Sequence, residues 1–266
     1  TTPCDDAVAP DPEVQALVTD PVEAYVADLA ANVIGTSEVD LDGLRSSVRA
    51  REANEGNLIA DSLLWKATQL APSFGVPVPD VALQNGGGIR NDSIIPAGNI
   101  TELDTFSMVP FPNFVTLVPG ISREQFKEIM ENAVSRTQPG DIPGGTGRFA
   151  QIAGFSFVYS ASGTAQVLDG DENVVTPGTR IQEVALDDGT VIVTGGAVVA
   201  GPDLNVATID FLARGGDEYP YRGASFTTLG ASYQQALADY IEEALSGLIT
   251  TADYPLGGEG RITVVP

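Results

Sequence analysis

The 266-residue chain has no histidine and a single cysteine, Cys4. Each absence removes a class of chemistry. Without imidazole there is no Ser-His-Asp or Cys-His nucleophile and no histidine general base. Histidine-rich zinc and di-metal hydrolase centres are excluded as well. One cysteine allows no intrachain disulfide, no cysteine-based zinc site and no iron–sulfur cluster. Cations are scarce too: 13 Lys+Arg stand against 36 Asp+Glu, a formal net charge of −23. That balance argues against a broad surface for nucleic acid or anionic lipid. No apolar run approaches the roughly 20 residues of a membrane-spanning helix.

What is present is a composition that folds. Hydrophobic residues make up 43% and charged residues 18%, too apolar and too weakly charged for disorder. The length suits one large domain or two small ones. The chain starts at Thr1 without a methionine or a basic-then-apolar leader, and is expected to be processed or excised from something longer. Two of its cations are lysines, Lys66 and Lys127. An acidic, lysine-poor surface fits salt adaptation and codon bias equally.

Residues 1–11 read as a linker or cut end and 12–266 as a single domain. Asp11-Pro12 opens a helical stretch in which Val14, Leu17, Val18, Val22, Tyr25, Val26, Leu29 and Val33 recur at three- and four-residue steps, with Pro21 expected to split it. A second helix is expected over about 56–70. VALQ (81–84) reads as a buried strand and the glycines of Asn85-Gly86-Gly87-Gly88 as a loop. Strand 114–120 feeds a helix opened by the capping box Ser122-Arg123-Glu124-Gln125, with Phe126, Ile129, Met130, Ala133 and Val134 on one face. Strands are expected at 155–160, 165–170, 180–189, 190–196 and 204–210, with a tight turn at Asp187-Asp188-Gly189. A helix over 232–248 and a strand over 261–265 close the chain. Mixed helices and strands without strict βαβ alternation predict an α+β fold, a layered α/β/β/α domain with mixed sheets.

Four arginines lie near glycine-containing features: Arg45, Arg49 and Arg51 in LRSSVRAREANEGN, and Arg90 at the end of NGGGIR. Guanidinium forks bind phosphate or carboxylate in a bidentate manner, or they pair with the plentiful surface carboxylates; composition leaves both open. The triple glycine is either a tight connection or an anion-binding nest, and matches neither a P-loop nor a Rossmann fingerprint. Phe111 sits between Pro110 and Pro112, and Phe211 precedes a Gly-Gly-Asp turn. Such rings either anchor loops or clamp a flat base. Asp169-Gly170-Asp171-Glu172-Asn173 starts like a calcium loop, but its sixth and twelfth positions are Val174 and Arg180, so it reads as a solvated turn.

Five motifs occur in order: R-x-x-x-R-x-R-E-x-N-x-G-N-L-I-A-D (45–61), N-G-G-G-I-R (85–90), P-F-x-N (110–113), G-R-F-x-Q (147–151) and F-L-A-x-G-G-D-x-Y (211–219). Together they resemble the C-terminal domain of the 5′-nucleotidase family, which includes UDP-sugar hydrolases, over about Pro12–Val265. The resemblance implies that catalysis belongs to a separate N-terminal metallophosphoesterase domain with two divalent metal ions. No cofactor is expected in this chain, whose lack of histidine agrees with that division.

The resemblance also implies roles for individual residues, none of them catalytic and none a metal ligand. Arg49 and Arg90, with Arg45 as in some members, would approach the phosphate or ribose. Asn85 would lie near ribose and base, Phe111 and Phe211 would sandwich the nucleobase, and Asp217 would bind ribose hydroxyls. Asn113 and Gly147 would lie close to the nucleoside. Pro112 departs from the glycine common in the family and would stiffen the loop. The implied function is substrate recognition for hydrolysis of nucleoside 5′-phosphates, with a nucleoside or nucleotide and the N-terminal domain as partners, no nucleic acid, and an extracellular, periplasmic or cell-surface location. The alternatives are a stand-alone nucleoside-binding or interaction module, or the same domain of a UDP-sugar or cyclic-nucleotide hydrolase.

Overall fold

The structure is a computed structural model that describes residues 8–138 and 145–266. Residues 1–7 of the expected linker, Cys4 among them, lie outside the described residues. Asp11 caps the first helix: its Oδ1 accepts from the Glu13 and Val14 amides at 2.8 and 3.2 Å.

Two mixed five-stranded sheets carry the core. In spatial order the first is Thr227–Ser232, Phe114–Ile121, Leu204–Ile209, Val81–Asn85 and Ala150–Ala153. Its one parallel pairing is that of Leu204–Ile209 with Val81–Asn85. The second sheet runs Ala197–Val198, Val191–Thr194, Ile181–Leu186, Phe155–Ser160 and Ile262–Val265, with the last pair parallel. The helix Asn54–Phe74 covers the first sheet, and Arg123–Val134 lies against the second. The architecture is therefore mixed α/β with layered mixed sheets, as the unalternating pattern predicts. The chain passes between the sheets through Gly154. Its φ is +83°, and a Cβ there would lie 2.7 Å from the Asp80 carbonyl oxygen.

Several local expectations need correction. Pro21 does not split the first helix. The turns Pro12–Val14, Gln15–Thr19 and Asp20–Ala31 run on, with the middle one widened to a π-turn. Widening absorbs the missing N–H and the ring's clash with the preceding turn. The period holds to Leu29, which is buried, yet Val14, Leu17, Val18, Val22, Tyr25 and Val26 are exposed, and Val33 lies beyond the helix in the strand Val33–Ser37. The capping box at Ser122 is half formed. Ser122 accepts from the Gln125 amide at 3.2 Å, but the Gln125 side chain donates to the carbonyls of Pro220 and Tyr221. A complete box lies elsewhere, at Thr101 and Asp104, opening the unexpected helix Glu102–Met108.

The last helix is shorter than expected. Tyr233–Asp239 passes into a π-turn, Tyr240–Ala244, and Leu248 belongs to a strand, Leu248–Ile249. Positive φ at Ser246 and Gly247 turns the chain there. The expected strand 165–170 shrinks to Val167–Leu168. Gly86–Gly88 form a 3₁₀ turn where a loop is expected.

Candidate functional site

Topology explains why distant motifs meet. The parallel strands Val81–Asn85 and Leu204–Ile209 both end at the same edge of the first sheet. Their antiparallel neighbours, Phe114–Ile121 and Ala150–Ala153, begin there. Residues after 85 and 209 and before 114 and 150 are thus delivered to one place, the usual position of ligand sites in such sheets. A pocket of about 360 Å³ opens there, lined by Arg49, Asn85, Gly87, Gly88, Arg90, Phe111, Pro112, Asn113, Gly147, Ile209, Phe211 and Asp217.

Eight of the nine residues singled out from the sequence line this pocket. The exception is Arg45, exposed at the start of the short helix Arg45–Val48. Its backbone amide donates to Asp92 Oδ1 at 2.8 Å. Its charge still reaches the pocket: burial, then Arg45 and Arg90, lower the pKa of Arg49. Arg49 is 7% exposed, and its Nε has no hydrogen-bond partner. Buried donors are normally satisfied, so a buried guanidinium facing a cavity is suited to an anion.

The triple glycine is a packing requirement. A Cβ on Gly86 would lie 2.2 Å from the Val48 carbonyl oxygen, and one on Gly87 3.1 Å from Gly147 Cα. The Gly86 and Gly87 amides donate to the carbonyls of Phe149 and Gly147, both at 2.7 Å. Those amides are spent, so they make no anion nest. What the turn achieves is to seat Gly87 against Gly147, with Asn85 and Arg90 on the wall of the same pocket.

The polar wall is Asn85 and Asp217, with Asn85 Nδ2 donating to Asp217 Oδ2 at 2.6 Å. Asp217 is in left-handed backbone, φ +54°. Asn132 Nδ2 donates to its carbonyl at 3.2 Å, and Asn132 Oδ1 accepts from Arg148 Nη1 at 2.9 Å. Arg148 Nη2 pairs with Glu218 at 2.8 Å, so a buried arginine holds the turn through the Asp217 carbonyl and the Glu218 side chain.

The aromatic wall is Phe111 and Phe211, 41% and 43% exposed. The Arg90 guanidinium lies 5.6 Å from the Phe111 ring centroid. Asp210 Oδ1 accepts from the Phe114 amide at 2.9 Å, tying the segment of Phe211 to that of Phe111. Tyr233 makes a second tie: its hydroxyl accepts from the Phe111 amide at 2.9 Å and donates to the Gly88 carbonyl at 3.4 Å. Burial pushes its pKa up, so it remains a phenol.

Sequence reasoning missed these supports. Tyr233 reads as one more apolar position on its helix, and the polar Asn132 on a buried helix face was the signal for the Arg148 network. Much of the long first motif is structural. Gln151 accepts from the Ala53 amide and donates to the carbonyls of Val48 and Arg51, on both sides of Arg49. Glu52 accepts from Asn57 Nδ2 and the amides of Glu259, Gly260 and Ile262. Asp61 holds Arg261 at 2.7 and 2.9 Å.

Among the described residues no group of three or more His, Cys, Asp or Glu is placed to hold a metal ion. With no histidine in the chain, its residues do not fit the histidine-bearing di-metal centre that the resemblance assigns to another domain. No helix among the described residues is long and apolar enough to cross a membrane.

The pocket at the edge of this mixed sheet thus brings together arginines, aromatic rings and a carboxylate. Residues 33–223 match the 5′-nucleotidase C-terminal domain, and the chain belongs to that family. It is 31% identical over 219 residues to the trifunctional nucleotide phosphoesterase YfkN of Bacillus subtilis, covering 82% of this chain and 13% of that protein. It is 28% identical over 211 residues to a 5′-nucleotidase of Vibrio parahaemolyticus, covering 79% of this chain and 30% of that protein. A 5′-nucleotidase precursor from Thermus thermophilus superposes with a TM-score of 0.70 at 29% identity, over 97% of this chain and 44% of that one. The chain thus spans less than half the length of these relatives.

Proposed function

We propose that this domain recognises nucleoside 5′-phosphates and presents them to a hydrolytic domain of the same protein. The observation that carries the reading is the convergence of two half-exposed rings, two arginines and the Asn85–Asp217 pair on one pocket. Each part suits one part of a nucleotide. Phe111 and Phe211 offer π-faces to a base. Asp217, its other carboxylate oxygen free of Asn85, accepts from ribose hydroxyls. Arg49 and Arg90 meet the phosphate. The net charge of −23 does not oppose this, because exposed charges are screened over about 8 Å at physiological salt. Pro110 and Pro112 hold the Phe111 loop stiffly, which favours a fixed ring spacing.

Calorimetry with adenosine, 2′,3′-dideoxyadenosine and AMP tests the reading. The chain should bind AMP more tightly than adenosine, and adenosine at least tenfold more tightly than the dideoxy analogue. Asp217→Ala should abolish the second preference. Hydrolysis of AMP by this chain alone would refute the division of labour, and absence of binding to all three would refute nucleoside recognition.

A further inference from the structure

Glu55, in the first turn of the helix Asn54–Phe74, is fully buried. Buried carboxylates normally collect several donors, as Glu52 does three residues earlier. Glu55 has one: Asn91 Nδ2 donates to Oε2 at 3.0 Å. Its Oε1 has no partner, and neither does Asn91 Oδ1, which is equally buried. The two orphans share one small space. A Cβ on Gly43 would lie 2.4 Å from each of them. The Asn91 amide is not reversed, because its nitrogen also donates to the Ser93 carbonyl at 3.3 Å.

Two acceptors held side by side away from water repel unless a proton lies between them. We infer that Glu55 is a positioning residue that works as a neutral acid, its Oε1–H donating to Asn91 Oδ1 while Asn91 Nδ2 donates to Oε2. The result is a closed acid–amide pair that pins the segment directly after Arg90. The surroundings agree. Burial first, then Asp42 on the strand Leu41–Asp42 and Asp104 on the helix Glu102–Met108, push the carboxyl up to about 8, against the Asn91 hydrogen bond. The N-terminal turn of the helix favours the ion and is outweighed by full burial beside two acidic groups. No cation acts among these causes.

The pair couples protonation to the arginine end of the pocket. Asn91 adjoins Arg90, and Asp92 accepts from the Arg45 amide at 2.8 Å. Loss of the proton to solvent leaves a carboxylate facing Asn91 Oδ1 and releases this segment. Because the folded-state value lies above the ordinary 4.5, the stabilisation is complete below about 4.5 and is lost as pH rises towards about 8.

The test uses the whole chain with carbon-13-labelled glutamate, wild type against Glu55→Gln and Glu55→Leu, from pH 4 to 9.5. One carboxyl resonance should titrate near pH 8 and be absent from both variants. The urea midpoint of the wild type should fall relative to Glu55→Gln between pH 4.5 and 8, since the amide keeps both hydrogen bonds at every pH. Titration of Glu55 near 4.5, or parallel stability profiles, would overturn the neutral acid. The coupling to ligand rests on the nucleotide-binding reading and is measured separately. AMP affinity should fall about tenfold from pH 7.5 to 9.5 in the wild type and stay level in Glu55→Gln. Equal pH dependence in both would refute the coupling. Failure to bind AMP at any pH, with the carboxyl still titrating near 8, would refute nucleotide recognition and leave the acid–amide pair standing.

Discussion

Truncating the two phenylalanines separately gives unequal results that follow from their surroundings. Phe211→Ala removes one stacking face, about 1–3 kcal/mol per base, or roughly 5- to 150-fold in affinity. Adenosine and AMP should lose by the same factor, because the ring contributes nothing to the phosphate. Phe111→Ala removes a similar face and also the ring on which Arg90 rests at 5.6 Å. An exposed cation–π contact is worth about 0.5–1 kcal/mol, so AMP should lose roughly 2- to 5-fold more than adenosine in this variant. Both rings are more than 40% exposed in the free domain, so each truncation should cost the fold about 1–2 kcal/mol, well below a buried Phe→Ala. Calorimetry with both ligands and urea unfolding of each variant decide the matter. Unchanged affinity in both variants, or a stability loss typical of a core phenylalanine, would refute the clamp and make the rings loop anchors.

Other perturbations probe the supports. Tyr233→Phe removes the hydroxyl joining the Phe111 amide to the Gly88 carbonyl; AMP affinity should fall roughly 3- to 10-fold, one net hydrogen bond, by calorimetry. Arg148→Met strips the partners from Asn132 and Glu218 and should cost about 3 kcal/mol in urea unfolding, with weaker adenosine binding because the Asp217 turn loses its brace. Gly154→Ala forces a side chain into φ +83° and against the Asp80 carbonyl. It should cost roughly 1–3 kcal/mol and leave ligand affinity unchanged, since Gly154 lies at the far end of the strand Ala150–Ala153 from the pocket.

Much of this molecule was legible where physics is local. The strand Phe155–Ser160 falls where alternation puts it, and Ser122 caps its helix as expected. Pocket residues were legible through motif order, because chemistry-bearing types are sparse in a chain with 13 cations and no histidine. The illegible parts depend on partners far along the chain. Thr36 pairs with Leu248 in a strand no local pattern marks. The apolar stripe of the first helix fixed its period but not its burial. Arg45 shares a motif with Arg49, yet one turn of helix separates an exposed side chain from a buried one.

The Glu52 carboxylate has a consequence for how the chain acquires its shape. It sits three residues after Arg49 and gathers amides from positions 259, 260 and 262, contacts separated by up to 210 residues. Asn54 and Asp61 likewise wait for Tyr254 and Arg261. Closure over such separations is slow and costs chain entropy before the contacts reward it. During synthesis the Arg49 segment can therefore gain its brace from Gln151 well before the contacts of Glu52, Asn54 and Asp61 become available. The segment that carries Arg49 is thus held in two stages, by Gln151 from within the first sheet and then by residues 254–262.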